Sequence, residues 1–353
     1  AITPLDVGVI GTGPFKYVKF EKGVKVEIRR SDIYWEKDEA GRQLPFLDGV
    51  DFMVIKSPSA MDAAFRSGRL DGNARGTAQN LTSERIPGYV KDLGDKVKFI
   101  RVGYYLSSLG FNILKEGPWQ DARIRQAVQL YVDKEAAIPA TLGGFGRVFT
   151  FLAPDNPYTS PDFMSWPGWN PATREQDKAQ AKKLLAEAGY PDGFEINFDT
   201  AQYGLGDVVT QWLARDLGKI GIKVNMKRYE WISYLGVWAS GMKEDVAMNE
   251  IGWGMTVPSW IGIVSRCTSR PPGGVNSGWY CNEKVDELLN QAVAEKDESK
   301  ARAFYQQANR IIMDEAAFIP FLDDFQPILT AGHVKGFVNP PEDWVDLSTV
   351  YID

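Results

Sequence analysis

The sequence predicts an α/β protein of two domains, on three observations. Period-two and helical hydrophobic patterns interleave along most of the chain, as strands and helices sharing one core do. Its 353 residues are enough for two separate cores. A composition of 44% hydrophobic and 24% charged residues is that of an ordinary globular protein.

The first ~110 residues read mainly as strands. Val24, Val26 and Ile28 alternate with Lys25, Glu27 and Arg29, the pattern of a half-buried strand. Phe52-Met53-Val54-Ile55 is a short apolar run expected to form a central strand. Ser59-Ala60-Met61-Asp62 has the spacing of a capping box opening a short helix that Gly68 ends. Phe99–Val102 and Leu109–Ile113 are further strands. From Asp121 the period becomes helical, with Ile124, Ala127, Val128 and Tyr131 on one face. Thr173-Arg174-Glu175-Gln176 is a second capping box, and Gly189 and Pro191 mark that helix's end. The strand Glu195–Phe198, a helix through Trp212, Leu213 and Leu217, and the strand of Ile222, Val224 and Met226 follow. Two more helical patterns run through Val285–Val293 and Phe304–Ile312.

Charge and motifs exclude several functions. Net charge is −6, from 40 basic and 46 acidic residues without a dense Lys/Arg block, which argues against nucleic acid or an anionic membrane as partner. No apolar run approaches the ~18–20 residues of a membrane-spanning helix, and an export signal would have to lie outside this sequence. There is no Walker A pattern and no G-x-S-x-G elbow. The single histidine, His333, lies in a polar turn with no cysteine or second histidine nearby, so no metal site is expected. Gly11-x-Gly13-Pro14 lacks the third glycine of a dinucleotide loop, and no cofactor is implied. Asp323-Asp324 and Glu250 are carboxylates that could serve glycoside hydrolysis if two of them faced each other across a cleft. Cys267 and Cys281 flank a turn-rich segment, where either a staple or two free thiols fit. A bridge there would close a loop worth about 3 kcal/mol in the chain-entropy model.

A series of local motifs carries more. Gly11-Thr12-Gly13-Pro14-Phe15, Ile33-Tyr34-Trp35 and Pro45-Phe46-Leu47-Asp48-Gly49 open the chain. Asp121–Val128, Val132-Asp133-Lys134-Glu135, Gly193-Phe194 and Gly252-Trp253 follow in order. Across nearly the whole chain this series resembles the large solute-binding proteins of ABC importers, extracellular solute-binding protein family 5, which includes dipeptide, oligopeptide and nickel receptors. The resemblance implies a two-lobed periplasmic-binding-protein fold (type II, cluster C-like) with mixed sheets and hinge crossings. The crossings are expected near Asn112–Lys115 and Pro320–Phe325. Residues 1–113 plus 325–353 would then form the first lobe, and residues 114–324 the second. In the family the opening motif falls well inside the chain. About a third of a full receptor, including a small extra domain and a first sheet strand, is therefore expected to be absent from the front. Residues 1–113 should then show an open sheet edge with poorly covered apolar side chains.

The resemblance also implies a role: a non-catalytic receptor that closes on one solute and presents it to membrane permease subunits. It would work in the periplasm or as a cell-surface lipoprotein. The family places the ligand wall around Tyr203, Trp231, Gly252, Trp253 and Gly254, continuing through Met255, Thr256 and Trp260. Trp253, flanked by glycines where no helix face can bury it, suits a stacking wall. Trp212 and Trp238, at helical spacing, read as core. In peptide-binding relatives an aspartate three residues past this tryptophan neutralises the peptide amine. Thr256 stands there, and a neutral hydroxyl cannot supply that charge-assisted bond. Glu250, where relatives carry an apolar residue, is the acid that could substitute. The expected solute is a peptide held otherwise, a sugar or an opine-like conjugate. The rival reading is an extracytoplasmic carbohydrate-active hydrolase with an aromatic-lined cleft. Relatives often carry a disulfide just after the binding strand, which makes a Cys267–Cys281 bridge the expectation.

Overall fold

The computed structural model describes residues 11–55, 57–72, 85–101, 105–114, 116–144, 146–201, 204–243, 245–253, 257–324, 327–337 and 346–353. The chain forms two units, Ala1–Gly103 with Gln326–Asp353, and Tyr104–Phe325. The first boundary falls before Asn112–Lys115, where a crossing is expected. The reason is strand pairing: the strand ending at Phe111 is hydrogen-bonded inside the second unit's sheet, and Asn112 is fully buried there.

In the first unit β1 (Phe15–Glu21), β2 (Lys25–Arg30) and β3 (Gly49–Met53) make an antiparallel sheet in that order, so the run predicted as central is an edge. One face carries charge, with Arg29 2.6 Å from Asp51 and Lys25 paired to Glu27. The other is apolar: Tyr17, Ile28 and Val50 form one row, and Phe20, Val26 and Phe52 the next. None of these six is buried, and Phe20 is 42% exposed. Apart from that sheet, α1 (Pro58–Arg66) and α2 (Ile86–Leu93) pack through Met61, Phe65 and Tyr89 onto β4 (Val97–Arg101). The returning strand Pro327–Ala331 pairs with β4. The cap of α1 is Ser57, whose Oγ accepts from the Ala60 amide, two residues before the predicted box. Pro58 at the first helical position needs no amide partner, which favours the earlier start.

The second unit is built on a six-stranded mixed sheet. Its strands are β5 (Tyr105–Phe111), β6 (Gly146–Arg147), β7 (Glu195–Ala201), β8 (Lys223–Tyr229), β9 (Met248–Trp253) and β10 (Phe318–Asp324), in the spatial order β6-β10-β5-β9-β7-β8. Helices α3 (Ala122–Tyr131), α4 (Lys134–Leu142), α5 (Arg174–Glu187) and α6 (Gly204–Gly218) lie among these strands in sequence, followed by α7 (Trp231–Ala239). α8 (Ser259–Ser265), α9 (Glu283–Ala294) and α10 (Glu298–Asp314) precede β10. The face predicted for α3 is buried at Ile124, Ala127, Val128 and Tyr131, against Phe198, Leu213 and Leu217. A second core joins Phe149, Phe151 and Trp169 to Leu288 and Ile312. The Thr173 box does not close: its hydroxyl donates to Asp177 instead of capping α5. Cys267 and Cys281 are bonded, and within that loop buried Asn276 donates to the Arg266 and Tyr280 carbonyls.

Lys134, at the first position of α4, is fully buried. Its ammonium donates to the carbonyls of Gln129 at 2.9 Å and Gly168 at 3.0 Å, and sits 4.5 Å from the centre of the Trp169 ring. Burial, with Arg174 nearby, pulls its pKa down to about 7; Asp177 and Asp133 oppose the shift only in part. Between pH 7 and the ordinary lysine range the unfolded chain therefore binds more protons than the folded one, so stability rises with pH across that window. Below it both states are protonated and the folded state bears the full cost of the buried cation. Urea denaturation should show this rise in the wild type and its loss in Lys134→Met. An equal pH slope in both proteins would contradict the assignment.

Candidate functional site

β7, β8 and β9 run parallel, with β7 between the other two. From β7 the chain passes through α6 to β8 on one side, then back through α7 to β9 on the other. A right-handed crossover that reverses direction must put its helix on the opposite face. Side chains confirm this. Ile196 and Phe198 of β7 face a core with Val209, Leu213 and Leu217 of α6, whereas Ala201 packs against Tyr234 and Trp238 of α7. A sheet whose strand order reverses in this way leaves a crevice at the carboxyl ends of its parallel strands.

Of the residues singled out in the sequence, Trp231, Gly252 and Trp253 stand at those ends. Tyr203 follows β7 and lies outside the described residues. Trp231 opens α7 directly after β8; it is half-buried, its ring 6.5 Å from that of Tyr234. Gly252 and Trp253 end β9. Gly254, Met255 and Thr256 lie outside the described residues. Trp260, on α8, packs on the second core. Trp238 is core, and Trp212 packs against the first core while half-exposed.

Glu250 is fully buried within β9. It pairs with Leu109 of β5, and its side chain lies on the face of Met248, toward α6. Its Oε2 sits 2.6 Å from where a Cβ on Gly206 would be, so only glycine leaves that space in the first turn of α6. From the other face the Tyr234 hydroxyl reaches the Glu250 carbonyl and, at 3.3 Å, that of Asp199. The β7–β9 ladder ends at Asp199↔Asn249, so this hydroxyl occupies the split where the two strands part. Tyr234 and Gly206 were not singled out in the sequence. Tyr234 follows Trp231 by three residues in a helical pattern that marks packing, and a glycine's contact partner leaves no sequence signal. Asp323 is buried and bound at 2.6 Å by Arg147, and Glu250 lies within the α6 layer, so these two described carboxylates do not form a facing pair. His333 contacts Asp71 at 2.8 Å on the first unit's surface.

On the α7 face, Asn112 donates to the Lys243 and Val246 carbonyls, Asn197 to that of Asp245, and Asn249 to the Ser277 hydroxyl. Asp199 lies in the same layer, only 2% exposed. Burial pushes its carboxyl above the ordinary range, against the opposing influence of Tyr229, Lys227 and Lys243, while Asp245 adds to the rise. Between the ordinary aspartate range and this raised value the folded state binds more protons, so stability falls as pH rises through that window and stays lower above it. Asp199→Asn should remove this loss and raise the neutral-pH melting temperature. A variant that melts lower at pH 7 and keeps the wild-type pH dependence would refute it.

Residues 2–269 match the bacterial extracellular solute-binding proteins, family 5 middle region. The chain is 27% identical over 346 residues to heme-binding protein A of Haemophilus influenzae, covering 96% of this chain and 58% of that protein. It is 26% identical over 349 residues to the dipeptide-binding protein of Escherichia coli, covering 96% and 60%. Two solved structures share its fold. One is a Helicobacter pylori periplasmic binding protein in complex with the peptide STSA: TM-score 0.78, 23% identity, 97% of this chain and 63% of that one. The other is the A. tumefaciens R10 protein AgaA with agropinic acid: TM-score 0.77, 21% identity, 97% and 67%. The chain thus spans about three-fifths of the length of these curated relatives. With the matched pattern running over most of its length, it belongs to family 5 of the bacterial extracellular solute-binding proteins.

Proposed function

We propose that this chain is the solute-capturing part of an extracytoplasmic receptor for an ABC importer, which hands one small polar organic solute to membrane permease subunits. The observation that carries the reading is the gathering of three segments at the carboxyl ends of β7, β8 and β9. Trp231, Gly252 and Trp253 stand at these ends, and Trp260 on the next helix; Tyr203 and Gly254–Thr256, next to them in the sequence, are taken to complete the site. Aromatic residues at such an end suit a compact ligand that is partly apolar and rich in hydrogen-bonding groups. Family membership supports receptor over enzyme, and the separation of Asp323 from Glu250 lends no support to a two-carboxylate hydrolase.

The relatives bind unlike molecules: heme, dipeptides and, for AgaA, agropinic acid. Thr256 favours a solute without a free ammonium at the position where dipeptide receptors neutralise one. A peptide held in another way or an opine-like conjugate meets that condition. Native mass spectrometry of the protein from its own cells should show one small molecule at one-to-one stoichiometry, released unchanged. Turnover of that molecule to products would overturn the reading.

The Thr256 assignment has its own test. Thr256→Asp should bind alanyl-alanine at least about tenfold more tightly than the wild type, as one charge-assisted hydrogen bond is worth about 1.5–3 kcal/mol. N-acetyl-alanyl-alanine should gain nothing. Equal gains for both, or none for either, would place Thr256 away from the ligand amine.

A further inference from the structure

We infer that Glu250 is a positioning residue that locks the solute-facing segments together from beneath, not a ligand contact. The inference rests on the proposed function only in taking those segments to face solute. Glu250 is the residue at which both helical layers meet β9. On one face its carboxylate fills the space at Gly206, in the first turn of α6 and just past Tyr203. The Thr210 hydroxyl donates to the Gly206 carbonyl at 2.6 Å and meets the Thr200 hydroxyl at 3.2 Å, which ties that turn to β7. On the other face the Glu250 carbonyl accepts from Tyr234, one turn into the helix that Trp231 opens. Three residues further on, β9 ends at Trp253. A single fully buried residue of β9 thus contacts the first turn of α6 through its side chain and α7 through its backbone carbonyl.

The chemistry suits a positioning role. The fit at Gly206 is steric, because a methyl there would meet the carboxyl oxygen at 2.6 Å. An apolar residue at position 250 could fill the volume, but it would not fix the turn at 204–206 in register with β9.

The test is a double-substitution cycle read by amide hydrogen exchange on solute-free protein, which keeps it separate from whether a solute is ever found. Gly206→Ala crowds the carboxylate, and Glu250→Asp withdraws it by one methylene. Each alone should speed exchange roughly tenfold in segments 202–206, 231–234 and 251–256 together, the scale expected when a buried polar contact is lost from a local opening equilibrium. The double variant should return all three toward wild-type rates, because the shorter side chain makes room for the methyl. Effects that add in the double variant would overturn the inference, as would changes confined to residues 249–251 or spread evenly over the second unit.

Discussion

The pairing of β5 with β10 is the constraint on which the second unit depends. These strands lie at opposite ends of the unit's sequence, yet Gly110 is opposite Phe318 and Tyr105 opposite Asp324. The ladder places the segment entering the unit beside the segment leaving it, and leaves the other edge of β5 for β9. Register matters because side chains alternate: Leu109 faces the main core, while Gly110 faces the opposite layer beneath Asn249. A slip of one residue would put Leu109 where a Cβ already approaches the Asn249 Oδ1 to 3.0 Å. The closure is entropically costly because the intervening loop is long, although the cost grows only slowly with loop length. Burial of the apolar face of the sheet under α3 and α6 offsets it.

With β5 and β9 set, the rest of the site follows from chirality. Right-handed crossovers put α6 and α7 on opposite faces, and the strand order then opens at the carboxyl ends of β7, β8 and β9. Tyr234 spans the point where β7 and β9 part, by taking a carbonyl from each. The layer of Asn112, Asn197 and Asn249 uses amide donors to hold segment 243–246 and the Ser277 loop against the sheet. Buried polar groups are worth having there because each satisfied donor fixes a loop that apolar packing alone would leave free to slide.

Features set by neighbours in the chain were legible in the sequence. The face of α3, the alternation in β8 and the glycine stop after α5 all depend on residues a few positions apart, and they stand as read. Features set by distant partners were not. The sequence around Leu109–Ile113 marks a strand but cannot say that its partner is β10, and so it places that strand in the wrong unit. Ser59 and Ser57 are both plausible caps until Pro58 is weighed, and Thr173 has the spacing of a cap but a better partner in Asp177. Glu250 was visible as an acid interrupting a strand. Its partner at Gly206, 44 positions earlier, was not. The motif series identified the family because it samples the whole chain, whereas the solute contacts expected at Tyr203 and Gly254–Thr256 lie outside the described residues.

The central claim is that solute is held at the carboxyl ends of the three parallel strands. A crystal structure of the protein purified with its native solute tests it most directly. Density for the solute should lie against segments 202–206, 230–233 and 251–257, with the Glu250 carboxylate behind the strand and out of contact. Density against the outer helices α9 and α10, or a direct hydrogen bond between solute and the Glu250 carboxylate, would contradict the account.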